Sequence, residues 1–270
     1  MSPVIEVWLH SLVPIIALSC VAWVLCTVRR NAGLVDIFWP WFFLAAAGYD
    51  SWRYRQWSGV SLVMAALLIV WALRLSVHLA IRNWHAPEDR RYAEIRARHQ
   101  PGFAWKSLLL VYGFQALLAW IVSAPLAVGL AGRSSAGPVW IFGLMLAVSG
   151  LAIEACADQQ LRAFKRRDPQ HREVLDTGLW RYSRHPNYFG EFCLWWGLFA
   201  MAIRADAIWI VVSPLLMSLL LLRVSGVSLL EKDIAHRRPA YRDYVTRTPV
   251  FFPWKPAAST AARHHNEAQS

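Results

Sequence analysis

Only 17% of the 270 residues are charged, and the chain carries just four cysteines. Cys20, Cys26, Cys156 and Cys193 each lie in an apolar segment, with no CxxC pair and no His or Cys at zinc spacing. Neither a disulfide framework nor a bound metal is therefore expected. No GxGxxG, P-loop, GxSxG or HExxH pattern occurs. That excludes a Rossmann-type or P-loop nucleotide domain and leaves any nucleotide to a site built on membrane helices. The opening MSPVIEVWLH has no basic n-region and no small-residue cleavage site, so the first apolar stretch is expected to be retained. Acidic residues are scarce too, 17 against 28 basic, giving a net charge of +11. The basic residues sit in short loops between apolar runs, which argues against a nucleic-acid partner.

What is abundant is apolar surface. Hydrophobic residues make up 57% of the chain, with 16 Trp and eight Tyr, the composition of an all-α, multi-pass integral membrane protein with interfacial aromatic belts. Seven spans of about 20 residues each are predicted, at residues 4–28, 33–50, 58–80, 107–130, 138–156, 187–203 and 207–230. With loops assigned alternately, 23 of the 28 Lys and Arg fall on one side, four on the other, and Arg74 inside a span. The positive-inside rule then places the N-terminus outside and the C-terminus in the cytoplasm. Residues 1–254 read as a single membrane domain with its motif core at 154–254, and residues 255–270 as a small, polar, disordered cytoplasmic tail. His264 and His265 belong to that tail.

Ionisable groups inside spans are costly and mark candidate sites. Asp36 lies at the start of the second span. It reads either as a helix-start carboxylate facing Arg29 or Arg30, or as an acid facing an internal pocket. Arg74 and His78, four residues apart, share a helical face with Arg82 and want an anionic partner, which can be Asp36, Glu154 or a bound phosphate. Glu88-Asp-Arg-Arg-Tyr92 reads as a charged turn facing solvent. Glu154, Asp158, Arg162 and Lys165 follow helical spacing along a helix leaving the membrane, either as a site or with Asp158 and Arg162 merely paired to each other, while the deeper Glu154 is costly unless it binds something.

The densest polar chemistry stands at Gly178-Leu-Trp-Arg-Tyr-Ser-Arg-His-Pro-Asn-Tyr-Phe-Gly-Glu191. Pro186 is placed to start a helix, and Arg184, Asn187 or Tyr188, and Glu191 then fall on one side of it. Helix-start N–H groups with Arg181, Arg184 and His185 suit an anion such as pyrophosphate. A phospholipid headgroup would use the same arginines and leave Asn187 and Glu191 without a task. Further on, residues 231–244 form an amphipathic piece of membrane-surface type.

This motif, with Glu231 and Tyr241-Arg-Asp-Tyr244 through Pro253, resembles the steroid 5-alpha-reductase superfamily. Asp36-Ile-Phe-Trp39, Trp71 to His78, Glu88 to Tyr92, Glu154 to Lys165 and Ser225-Gly226 resemble its bacterial branch, catalogued as a domain of unknown function. The likeness runs over residues 30–254. It implies a seven-span enzyme of lipid metabolism, in a bacterium an inner-membrane one. Such enzymes use NADPH from the cytosol to reduce a carbon–carbon double bond conjugated to a carbonyl, or a sterol double bond. The implied substrate is a lipophilic enone of steroid, isoprenoid or lipid type taken from the bilayer. The cofactor contacts implied are Glu154, Asp158, Arg162, Lys165, Asn187, Tyr188, Glu191 and Tyr241, with Arg184 and His185 at the phosphates. The catalytic acid that polarises the substrate oxygen is expected at Asp36, Arg74 or His78. The steroid enzymes pair an early glutamate with a later tyrosine to polarise the carbonyl. Here the matching positions hold Asp36 and Trp71, and an indole is no phenolic acid, so Tyr92 or Tyr112 is left to substitute.

Arg-His-Pro-x-Tyr-x-Gly also resembles membrane methyltransferases that use S-adenosylmethionine on isoprenylcysteine carboxylates or phospholipids. In those a tryptophan commonly follows the last glycine, where this chain has Glu191. A non-catalytic lipid-binding protein is the third class open to the sequence.

Overall fold

Among the described residues of the computed structural model, six helices are long and apolar enough to cross a membrane. They are α1 (Pro3–Val28), α2 (Ala32–Tyr54), α3 (Gly59–Asn83), α5 (Phe103–Val122), α7 (Pro138–Arg167) and α9 (Ala205–Arg223). Shorter helices are α4 (Arg90–Arg98), α6 (Ala124–Gly129), α8 (Pro186–Ala202) and α10 (Tyr241–Arg247). The structure describes residues 3–55, 57–131, 135–168, 173–224 and 241–257, and no strand occurs among them. Ser225, Gly226, Glu231, the remainder of the 231–240 stretch, and the tail from 258 onward lie outside the described residues. The chain is a multi-pass, all-helical membrane protein. The sixth expected span is α8, whose 17 residues make it shorter than the others.

Two expected boundaries move. The fourth span, expected over 107–130, ends at Val122 and is followed by α6. Pro125 in the first turn of α6 lacks the N–H that a continuous helix would need. The fifth, expected to end at 156, continues as α7 to Arg167, because its polar continuation keeps helical spacing and good helix formers.

The chain divides into two compact units, residues 1–144 with 198–213, and residues 145–197 with 214–270. In the first, α1 is pinned to α5 by Trp8 and Trp120. Their rings stack at 4.2 Å, and each indole N–H donates to the other residue's carbonyl, at 3.0 and 2.8 Å. Ser76 Oγ of α3 donates to Ile37 O of α2 at 3.1 Å. A π turn over Leu108–Gly113 shifts the α5 hydrogen-bond register, and Tyr112 O accepts from Ser19 Oγ of α1 at 2.9 Å. Such side-chain bonds matter between membrane helices, where lipid is as apolar as the interface.

In the second unit, α7 and α8 cross backbone to backbone at Gly150 and Gly190. A Cβ on Gly190 would stand 2.5 Å from Glu154 N and 2.6 Å from Gly150 O, and one on Gly150 would stand 2.5 Å from Gly190 O. Only glycine allows this approach. The segment ahead of α8 is strapped to the chain after α10. Arg184 N donates to Pro249 O at 2.9 Å, Ser183 Oγ to Phe251 O at 2.7 Å, and Trp254 N to Tyr182 O at 3.0 Å. The Tyr244 hydroxyl of α10 donates to Trp180 O at 2.5 Å. Phe189, Phe192, Phe251 and Phe252 close the same seam edge to face.

Candidate functional site

Each unit holds a polar cluster. In the first unit the cluster begins at Asn31, whose Oδ1 accepts from Gly33 N at 3.0 Å and starts the short turn that opens α2. One turn on, Asp36 meets three partners from other helices. The Tyr92 hydroxyl of α4 donates to Asp36 Oδ1 at 2.6 Å, Arg91 Nη2 donates to Oδ2 at 3.2 Å, and Gln115 Nε2 of α5 reaches Oδ1 at 3.4 Å. Gln115 Nε2 also donates to the Tyr92 oxygen at 2.8 Å. Tyr92 is buried, and Asp36, Arg91 and Gln115 are partly so.

Helix α4 is held in place to do this. Asp89 caps it by accepting from Arg91 N at 3.0 Å. Glu88 accepts from Ala32 N at 2.7 Å and from Arg96 Nε and Nη2, both at 2.8 Å. Burial pushes the Glu88 carboxyl up, but the Arg96 and Ala32 hydrogen bonds outweigh it and hold the group below the ordinary carboxylate range. Burial, and then the charge of Asp36, raise the Tyr92 phenol well above its usual value. At neutral pH Tyr92 is thus a proton donor and not a base. For Arg91 burial acts against the charge, and Asp36 overcomes it, so the guanidinium is more firmly protonated than usual.

These contacts correct two expectations. Glu88 to Tyr92 is a solvated face only at Asp89 and Arg90, since the capped helix turns Glu88, Arg91 and Tyr92 toward α2, which a run of charges in sequence does not reveal. Nor does Asp36 pair with Arg29, Arg30, Arg74 or His78, because α4 and α5 supply its partners. Arg29 instead lies over the Trp84 ring at 4.5 Å. Arg74 and His78 are half-buried on α3.

In the second unit, the glycine crossing sets Glu154 and Asp158 of α7 against α8. Both are buried, as are Arg184, His185 and Glu191. Asn187 Nδ2 donates to Asp158 Oδ1 at 3.2 Å, and the Asn187 Oδ1 is buried without a hydrogen-bond partner among the described residues. The His185 and Tyr188 rings stack at 5.6 Å. His185 N is fixed by Ser183 Oγ at 3.1 Å, and Gln160 Oε1 of α7 accepts from Leu179 N at 3.0 Å. Arg162 is half-buried one turn beyond Asp158, and Lys165 is exposed. The Tyr241 ring lies against that of Tyr244, 5.2 Å between centroids. Glu154, Asp158, Asn187 and Glu191 are therefore grouped where the two helices cross, while Arg162 and Lys165 continue along α7.

Two residues escaped the sequence reading. Gln115 is a lone amide in an apolar run, and the signal that marks it is that polarity. Asp50 is wholly buried in α2, and both its carboxylate oxygens lack a hydrogen-bond partner among the described residues. Its place at the expected end of the second span disguised it as a boundary residue.

The chain is 25% identical to an uncharacterized protein of the fission yeast Schizosaccharomyces pombe, over 87% of this chain and 76% of the relative. No solved structure matches. A family model described as "Protein of unknown function (DUF1295)" matches residues 22–248, a stretch that takes in both polar clusters, and the chain belongs to that DUF1295 family.

Proposed function

We propose that this protein is a membrane-embedded, NADPH-dependent reductase of the steroid 5-alpha-reductase superfamily, acting on the carbon–carbon double bond of a lipophilic enone. It has seven spans with α8 as the sixth, its N-terminus outside and its C-terminus cytoplasmic, which in a bacterial cell places it in the inner membrane. The observation that carries this reading is the buried Tyr92 hydroxyl, poised on Asp36 and Gln115. It supplies the phenolic acid that Trp71 cannot.

The second-unit residues fit the cofactor. The partnerless Asn187 Oδ1 offers an acceptor to a carboxamide N–H. Arg162, Lys165, Arg184 and His185 offer positive charge and N–H donors to phosphates, and Glu154, Asp158, Glu191, Tyr188 and Tyr241 offer acceptors and rings. NADPH held by these groups would supply a hydride for the electrophilic alkene carbon, and a proton added at the adjacent carbon would complete the reduction.

The remaining work falls to Tyr92 and its neighbours. Polarising a carbonyl oxygen requires the Tyr92 O–H to rotate from Asp36 toward the substrate. Asp36 then keeps Arg91 and Gln115 as donors, so the carboxylate is not left bare. Gln115 continues to donate to the phenol oxygen, which fixes its position and favours O–H donation to the developing enolate. Arg74 and His78 are proposed as further charge on the substrate side.

Glu191→Ala and Arg184→Ala separate this reading from methyl transfer. A reductase loses NADPH binding in both variants, measured by titration of the purified protein. Glu191→Ala that retains S-adenosylmethionine binding, beside an Arg184→Ala that loses it, would replace hydride transfer by methyl transfer.

A further inference from the structure

A cavity of about 380 Å³ in the first unit serves neither cluster's proposed chemistry. Cys26, Thr27 and Arg30 at the end of α1, Arg96 of α4, and Ser107 and Tyr112 of α5 line it. Its volume lies in the range of small-ligand sites. Arg30 is held there in the left-handed region, at φ +53°, a conformation disfavoured for any residue with a Cβ. Its backbone is tied on both sides, with Arg30 N donating to Thr27 O at 3.0 Å and Arg30 O accepting from Arg96 Nη2 at 3.3 Å. The Arg30 side chain is exposed and forms no ion pair or hydrogen bond with any described residue. Arg96 is neutralised by Glu88 and packed 4.6 Å over the Phe103 ring. The uncompensated charge at the cavity is therefore that of Arg30.

The cavity's flank is amphipathic. Trp23 Nε1 donates to Ala104 O at 2.7 Å, and its ring lies 5.1 Å from that of Trp105. Trp105 and Leu109 are 73% and 75% exposed. Tryptophan beside arginine at the ends of apolar helices marks the headgroup level of a bilayer, and Leu109 one turn along gives an acyl chain a surface to follow.

We propose that this cavity binds the phosphate group of a membrane lipid, held by the Arg30 guanidinium, with the acyl chain leaving over Trp105 and Leu109. Arg is the residue whose planar fork matches phosphate oxygens. The site stands independently of the reductase reading.

The test is thermal unfolding of the full chain in detergent, titrated with dioctanoyl phosphatidate, dioctanoylglycerol or inorganic phosphate. Phosphatidate is expected to raise the melting temperature, and dioctanoylglycerol and inorganic phosphate at the same concentration are not. In Arg30→Gly the phosphatidate affinity is expected to fall about tenfold or more. The ligand-free melting temperature should not fall, because glycine takes a positive φ without strain. Unchanged affinity in Arg30→Gly would overturn the site, as would equal shifts from dioctanoylglycerol. Equal shifts from inorganic phosphate would overturn its assignment to a lipid.

Discussion

Tyr92→Phe is expected to lower turnover of an enone substrate by about 10²–10⁴-fold, the usual contribution of a positioned general acid, while NADPH affinity stays unchanged. The phenylalanine keeps the ring that packs with Ala32, Val35 and Tyr112 in one buried core, and removes only the hydroxyl. Asp36 retains Arg91 and Gln115 as donors, so the fold loses little and the change falls on the chemistry. Burial and the charge of Asp36 keep this phenol protonated across the neutral range, so its role as donor should show no titration there. A kcat within a few-fold of wild type would remove Tyr92 from the reaction and return the acid to Arg74, His78 or Tyr112.

Asp36→Ala is expected to act on stability. It strands the buried Tyr92 hydroxyl and removes one of the two carboxylates that hold Arg91, whose Nε keeps Asp89 at 3.0 Å. A buried donor left without its acceptor costs about 1–3 kcal/mol, and Arg91, which is 29% exposed and keeps Asp89, adds little. A total of about 1–3 kcal/mol corresponds to a melting temperature roughly 2–12 °C lower for a chain of this size. Adding Tyr92→Phe should recover part of the loss, because the stranded hydroxyl is gone. Strict additivity of the two substitutions in thermal unfolding would show that the bond seen between them carries no coupling.

The helical membrane class, the helix at Pro186 and the polar face of α7 were legible because each rests on local pattern. Apolar length, a proline at a helix start and four-residue spacing all survive in a single stretch of sequence. The pairing of Asp158 with Asn187 was half-legible, since the motif named both residues, but the Gly150–Gly190 crossing that brings them together is a tertiary contact. The acid cluster was least legible. Asp36 and Tyr92 are 56 residues apart, and nothing local shows that capping by Asp89 and the Glu88–Ala32 bond turn α4 inward. Gln115 follows a π turn, which shifts the face that a regular 3.6-residue count assigns to it.

Ligand-dependent thermal unfolding of the detergent-purified protein decides whether the α7–α8 cluster holds a nicotinamide cofactor, as proposed. NADPH is expected to raise the melting temperature of the wild-type chain and to leave Asp158→Ala unshifted, while S-adenosylmethionine shifts neither. Stabilisation by S-adenosylmethionine with none by NADPH would contradict the account.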